Sequence, residues 1–156
     1  MTAQYWLFKS EPGAYSYDDL VHDAVAEWDG VRNYQARNLL RDTIQVGDGV
    51  LFYHSNTDPL AVIGTATVVR AGYPDHTAWN SSSAHPDPRS TPEKPVWYMV
   101  DIQPDQRFHA PVTLNAMKTI SGLENMMLLR RGARLSIQPV TSQEWALILR
   151  LGSAGA

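Results

Sequence analysis

Gln4-Tyr5-Trp6-Leu7-Phe8-Lys9-Ser10-Glu11-Pro12-Gly13 reads as a strand that runs into a sharp turn. Aromatic and branched residues suit a pleated, half-buried surface, whereas Pro12 and Gly13 stop regular structure. A charged donor, a hydroxyl and a carboxylate therefore sit together where a strand ends, a place where rigid scaffolds commonly carry binding groups. A solvated turn with a surface ion pair is the plainer reading of Lys9, Ser10 and Glu11.

Outward from that turn the chain alternates short helices with strands. Ser16-Tyr17-Asp18-Asp19 fits a capping box with Ser16 as N-cap and Asp19 as the returning acid, so a short helix starts there. Trp28-Asp29-Gly30 is a turn, and Asn33 caps a second helix with Ala36, Leu39 and Leu40 on one face. Val46 to Gly49 is a tight turn before a strand over 50–54. A strand over 61–70 follows, with Gly64 marking a bulge or bend. The stretch 71–95 is rich in Pro, Ser, Asp and Asn and reads as a long loop, either a lid or a disordered excursion. Its Asn80-Ser81-Ser82 matches a glycosylation sequon only by accident in an intracellular chain. Strands are expected over 96–103 and 107–110, a short helix or turn over 113–117, and a last strand over 134–140. The apolar stretch 123–129 has no decided local type. Thr141-Ser142-Gln143-Glu144 is a second capping box, opening a helix that closes at Gly152.

Strands at irregular spacing with short helices between them argue against a doubly wound α/β protein. The expected class is α+β: a small curved sheet or partly open β-barrel with peripheral short helices. With 156 residues, 44% hydrophobic and 19% charged, one core suffices, so a single domain over 1–152 with a flexible tail at 153–156 is expected.

Composition also excludes functions. With no cysteine, there is no disulfide framework, thiolate nucleophile or Cys-based metal site. His22, His54, His76, His85 and His109 are scattered without ligand spacing, and no phosphate loop, dinucleotide fingerprint or nucleophile elbow is present. No cofactor, no metal and no catalytic residue are expected. The N-terminal residues lack the pattern of a signal peptide or membrane anchor, which points to an intracellular, cytoplasmic protein with no membrane partner, or a nuclear one in a eukaryote. The formal charge is −3, from 13 Lys and Arg against 16 Asp and Glu. A long phosphate-gripping footprint is not expected from that balance, and any nucleic-acid contact must be local.

Two further positions stand out. Trp28 is either a core residue or a flat wall on which a base can stack. Tyr53-His54-Ser55 gathers an aromatic ring, an imidazole and a hydroxyl at a strand's end. Arg32, Arg37, Arg130 and Arg131 touch phosphates if the fold gathers them on one side, and are otherwise a solvated surface.

Tyr5-Trp6-Leu7-Phe8-Lys9-Ser10-Glu11-Pro12, Trp28-Asp29-Gly30-Val31-Arg32-Asn33-Tyr34-Gln35-Ala36-Arg37-Asn38 and Leu51-Phe52-Tyr53-His54-Ser55-Asn56 resemble signature blocks of the EVE domain family. Further blocks at 90–93, 97–101 and 134–140 extend the resemblance over nearly the whole chain. The resemblance implies a PUA-like fold, similar to YTH domains that hold methylated adenine in an aromatic pocket. It implies a non-catalytic reader of a modified base, a modified cytosine in DNA rather than RNA, with any nuclease or restriction partner acting in trans. It assigns base binding to Lys9, Ser10 and Trp28, and places Asn33, Tyr34, Gln35, Tyr53, His54 and Ser55 with them; the residues themselves add Glu11 to the expected base-binding set and Arg32, Arg37, Arg130 and Arg131 as the expected phosphate contacts. The stretch 81–85 departs from the family pattern. Two other readings stay open: an adaptor whose aromatic groove holds a peptide or protein, and a small-nucleotide hydrolase using His54 with Glu11.

Overall fold

A computed structural model of the protein describes residues 3–153. Six strands make one mixed sheet: β1 (Tyr5–Ser10), β2 (Ala26–Glu27), β3 (Gly49–His54), β4 (Ala61–Pro74), β5 (Tyr98–Thr113) and β6 (Ile137–Val140). Their order is β2-β5-β4-β3-β1-β6. The outermost strands, β2 and β6, do not pair with each other, so the sheet stays open. Around it lie α1 (Tyr17–Asp23), α2 (Tyr34–Asn38), α3 (Leu114–Met117) and α4 (Ser142–Ser153). The α+β expectation of a curved, partly open sheet with peripheral short helices is what the chain forms.

The helix starts follow from local chemistry. Ser16 Oγ accepts from the Asp19 amide while the Asp19 carboxylate accepts from the Ser16 amide, and Asn33 Oδ1 accepts from the Ala36 amide at 2.9 Å. Thr141 and Glu144 make the same reciprocal pair before α4. Each cap satisfies amides that the first helical turn leaves without partners.

All strand neighbours are antiparallel except β1 and β3, which run parallel with Lys9 opposite Tyr53 and Ser10 opposite His54. Parallel pairing brings the two C-terminal ends to the same edge. Its opposite end is locked by Asp48, 2% exposed, which accepts from the Gln4 amide, the Gln45 amide and Trp6 Nε1 at 2.9–3.0 Å.

Strand alternation divides the interior into two cores. One face carries Trp6, Phe8, Phe52, Tyr17 and Trp28. The other carries Leu7, Leu51, Val62, Val112, Met117 and Ile148. Gly64 sits where the β4–β5 register shifts on both sides, as a bend requires. A Cβ there would stand 2.6 Å from the Gln106 carbonyl oxygen and 2.9 Å from the Tyr17 ring, so close packing as well as curvature demands glycine.

Several boundaries differ from the sequence expectation. β4 continues through 71–74, residues expected to be loop, because Tyr73 and Pro74 pair with Met99 and Tyr98. β5 is one strand of 16 residues rather than two short ones and begins at Tyr98 instead of residue 96. β6 begins at Ile137, not Arg134, since Phe8 is its last partner. The undecided stretch holds a 3-10 turn at Met127–Leu129. α4 runs through Gly152 to Ser153, where a tail was expected; the remainder of that tail, 154–156, lies outside the described residues.

Candidate nucleic-acid interface

At the shared C-terminal edge of β1 and β3, the Ser55 amide donates to the Ser10 carbonyl at 2.9 Å. Ser10 Oγ donates to the Tyr15 carbonyl at 2.5 Å. His54 Nε2 accepts from the Tyr17 amide at 3.1 Å, which fixes the neutral ring with its proton on Nδ1. Burial holds the His54 pKa below its ordinary value, consistent with that neutral form. Glu11 reaches Asn56 rather than His54, with its Oε1 accepting from Asn56 Nδ2 at 3.4 Å.

Trp28 lies on the same face of the sheet, beneath this edge. It is 9% exposed. Phe8 is tilted against it at 5.3 Å between ring centroids, Phe52 stands edge-on at 5.5 Å, and Tyr15 edge-on at 6.2 Å. Tyr53 is parted from this group by strand alternation: it points to the opposite, aliphatic core at 3% exposure, where burial pushes its hydroxyl up to about 12. Lys9 is half-buried, and its Nζ donates to the Ala133 carbonyl at 3.3 Å. Burial lowers its pKa, because the charged form loses solvation.

The segment after Trp28 is anchored by Asp75, which is fully buried and accepts from the Gly30 amide at 2.8 Å, Arg32 Nη1 at 2.9 Å and the Thr77 amide at 2.9 Å. Burial pushes the Asp75 carboxyl up, but the bonds from Thr77, Gly30 and Arg32 outweigh it and hold the group below the ordinary carboxylate value. Gly30 has φ +77°, and the His85 ring packs where its side chain would be, 2.6 Å from the Cβ position. Arg32 Nη2 donates to the His85 carbonyl at 2.7 Å. Trp97 Nε1 donates to Asp87 at 2.7 Å, and Arg37 Nη1 to the Val96 carbonyl at 2.7 Å. The excursion after β4 is thus pinned at several points. Arg32 and Arg37, expected on phosphates, have their guanidinium groups engaged in holding this segment.

Residues 32–35 form a thin wall between two clefts. Asn33 and Gln35 line the first, about 460 Å³, together with Arg130, Arg131, Arg134 and Leu135; its lining contains no acidic residue. Arg32 and Tyr34 line the second, about 280 Å³, with His85, Asp87, Arg89 and Trp97. Asn33, Gln35, Arg130 and Arg131 are therefore brought together, whereas Tyr34 faces the other way. Sequence reading named Arg32 and Tyr34 but missed Asp75 and Trp97 as site residues, and missed that Arg32 and Tyr34 face a second cleft. The partners of Asp75 in the Trp28 segment lie more than 40 residues away in the chain, and no local pattern announces them. Among the described residues no group of three or more His, Asp or Glu could hold a metal ion.

An open mixed sheet with short helices, a polar edge at the ends of two parallel strands and an arginine-lined cleft beside it define a PUA-like domain. The EVE domain model matches residues 4–151, and the chain belongs to that family. Thymocyte nuclear protein 1 of Mus musculus is 39% identical over 168 residues, covering 96% of this chain and 74% of the mouse protein. A protein of Leishmania major superposes with a TM-score of 0.91 at 46% identity, covering 97% of this chain and 95% of its own. Human THYN1, solved in complex with 5-methylcytosine containing DNA, superposes with a TM-score of 0.88 at 37% identity, covering 99% of this chain and all of that one. Among the described residues no helix is long and apolar enough to cross a membrane.

Proposed function

We propose that this chain is a non-catalytic reader of a modified base in DNA, a modified cytosine, held at the edge formed by β1, β3 and Trp28. The observation that carries this reading is the likeness, across 99% of this chain, to human THYN1 as solved in complex with 5-methylcytosine containing DNA. A base in a duplex hides its faces and pairing edge, so the read nucleotide must be extruded, at a cost of a few kcal/mol. Stacking on Trp28, worth about 1–3 kcal/mol, offsets part of that cost. Tyr15 stands edge-on to Trp28, so an incoming base takes the place of its ring, while Ser10 Oγ, which donates to the Tyr15 main-chain carbonyl, keeps a lone pair to accept from the base edge. His54 Nδ1–H supplies a donor; Lys9, Glu11 and Ser55 complete the rim. Asn33 and Gln35 face the arginine cleft, where Arg130 and Arg131 receive the flanking phosphates. Cleavage, where it occurs, belongs to a nuclease acting in trans.

The hydrolase alternative loses its motivating pair, because Glu11 bonds Asn56 and the His54 acceptor nitrogen is taken by Tyr17. Binding to matched single- and double-stranded DNA and RNA, with cytosine or adenine bare, methylated or hydroxymethylated, at two salt concentrations, tests the proposal. Selective, salt-sensitive binding of methylated or hydroxymethylated cytosine in DNA is expected. Equal binding of modified and bare strands would sink it, and salt-insensitive capture of peptides would favour the adaptor.

A further inference from the structure

Tyr34 is out of keeping with its surroundings. Four large hydrophobic side chains among the described residues are strongly exposed, and Tyr34, at 52%, is the aromatic one. It is nevertheless held in place. Its ring stacks on Trp97 with centroids 4.9 Å apart and planes 29° apart. The guanidinium carbon of Arg37 lies 5.1 Å from the Tyr34 ring, and that of Arg32 lies 5.5 Å from Trp97. Trp97 is itself buried at 2% exposure and fixed through Nε1 to Asp87. A half-exposed ring braced on a buried, hydrogen-bonded one is a rigid platform that has already given up the rotamer freedom a binding partner would otherwise have to remove.

The electrostatics of the two clefts differ in the same sense. The lining of the first has three arginines and no acid, which suits a phosphodiester. In the second, Arg32 is paired with the carboxylate of Asp75 and Arg89 with that of Asp87, both at 2.9 Å, so the charges largely cancel. A cleft of about 280 Å³, nearly neutral and floored by stacked aromatic rings, is sized for one planar ring rather than for a backbone. Because consecutive residues alternate between the clefts, and neighbouring Cα atoms are about 3.8 Å apart, a strand crossing the wall meets both.

We infer that the Tyr34–Trp97 stack is a second nucleotide subsite, which holds an unpaired base neighbouring the read one while its phosphate lies in the arginine cleft. This rests on the reader proposal above. Any of the four bases fits, since each offers a π-face and the cleft contributes stacking rather than a fixed hydrogen-bond pattern.

The test uses oligonucleotides containing one 5-methylcytosine, or one cytosine, with 2-aminopurine placed singly at each flanking position. Wild-type protein and a Tyr34→Trp variant quench the probe at one such position. Tyr34→Ala abolishes that quench and weakens binding roughly 5- to 140-fold, by equal factors on methylated and bare strands, the equivalent of about 1–3 kcal/mol at 1.4 kcal/mol per decade. Unchanged affinity and unchanged quench in a Tyr34→Ala protein with the wild-type circular-dichroism spectrum overturn the subsite. Wild-type binding that ignores the methyl group overturns the reader proposal instead, and the quench on either strand then judges the subsite by itself. Binding to neither strand overturns both.

Discussion

The two faces of the sheet are built from different materials. One core gathers five large aromatic rings among its aliphatic residues and reaches the polar ends of β1 and β3, with Trp28 within ring contact of Phe8, Tyr15 and Phe52. The other is mostly aliphatic, with Tyr53 and Phe108 as its buried rings; it is covered by α3, α4 and the turns between them, and its members Leu7, Leu51, Val62, Met117 and Ile148 are fully buried. Aliphatic side chains interdigitate and exclude water. Flat rings also pack, but they can exchange one ring neighbour for another of similar shape. The difference is that the mostly aliphatic face is closed over by helices, while the ring-rich face ends at the polar edge where the proposed base site lies.

The largest effect expected from that division is on the aliphatic side. Leu51→Ala leaves a cavity in a closed core and destabilises the protein by about 2–5 kcal/mol in urea denaturation. The folded fraction keeps the proposed preference for modified DNA. Trp28→Leu keeps an apolar side chain while removing the π-face; it weakens modified-base binding by about 1–3 kcal/mol, and selectivity is lost. If Leu51→Ala also loses selectivity, or Trp28→Leu keeps it at equal affinity, the two faces do not divide the work in this way.

What the sequence reveals of this division follows from the range of the interactions. Capping boxes at Ser16 and Thr141 and the cap at Asn33 close within three residues, and all three are legible. The bend at Gly64 is legible too, because a lone glycine in a β-branched run marks a bulge or a close backbone approach. The continuation of β4 through Ala71–Pro74 is not, since Gly72 and Pro74 read locally as loop and pairing with β5 overrides them. Alternation along β3, in principle visible in Phe52-Tyr53-His54, separates Tyr53 from His54, whereas adjacency in sequence suggests one pocket. The loop–helix junction at 32–35 hides its division in the same way. One motif block turns out to serve two clefts, and long-range contacts, among them the anchor from Asp75 to Gly30 and Arg32 and the Tyr34 stack on Trp97, fix which residue faces which.

A smaller effect sharpens the contrast between the clefts. Arg130 and Arg131 line the cleft without acids, so replacing both with Ala lowers the slope of log affinity against log salt by about 0.7–0.9 for each phosphate that is no longer neutralised. Measured by titration at several salt concentrations, the weakening falls alike on modified and bare strands, because groups that bind phosphate position the strand without specifying its sequence. An unchanged slope in a folded double variant would move the phosphate path away from this cleft.

The smallest effect lies at the junction of the aromatic core and its polar edge, in His54. Its Nε2 can accept from the Tyr17 amide only while unprotonated, and that amide belongs to the first turn of α1, where the helix dipole disfavours a positive charge. Burial acts in the same direction, so the folded-state pKa lies below the ordinary value of 6.5. In the unfolded chain His54 titrates near 6.5. The stabilisation it gives is therefore complete above that pH and is lost as pH falls from there through the depressed folded value. Each unit of depression corresponds to about 1.4 kcal/mol, reduced here because the ring is only partly buried. Thermal midpoints measured between about pH 5 and 8 should fall on the acid side for the wild type. His54→Gln, whose Oε1 can still accept from Tyr17 at every pH in this range, should flatten that fall. Parallel curves for the two proteins would mean that His54 titrates as it does in water, and that the polar edge is more open to solvent than the packing of Tyr15, Tyr17 and Phe52 around it implies.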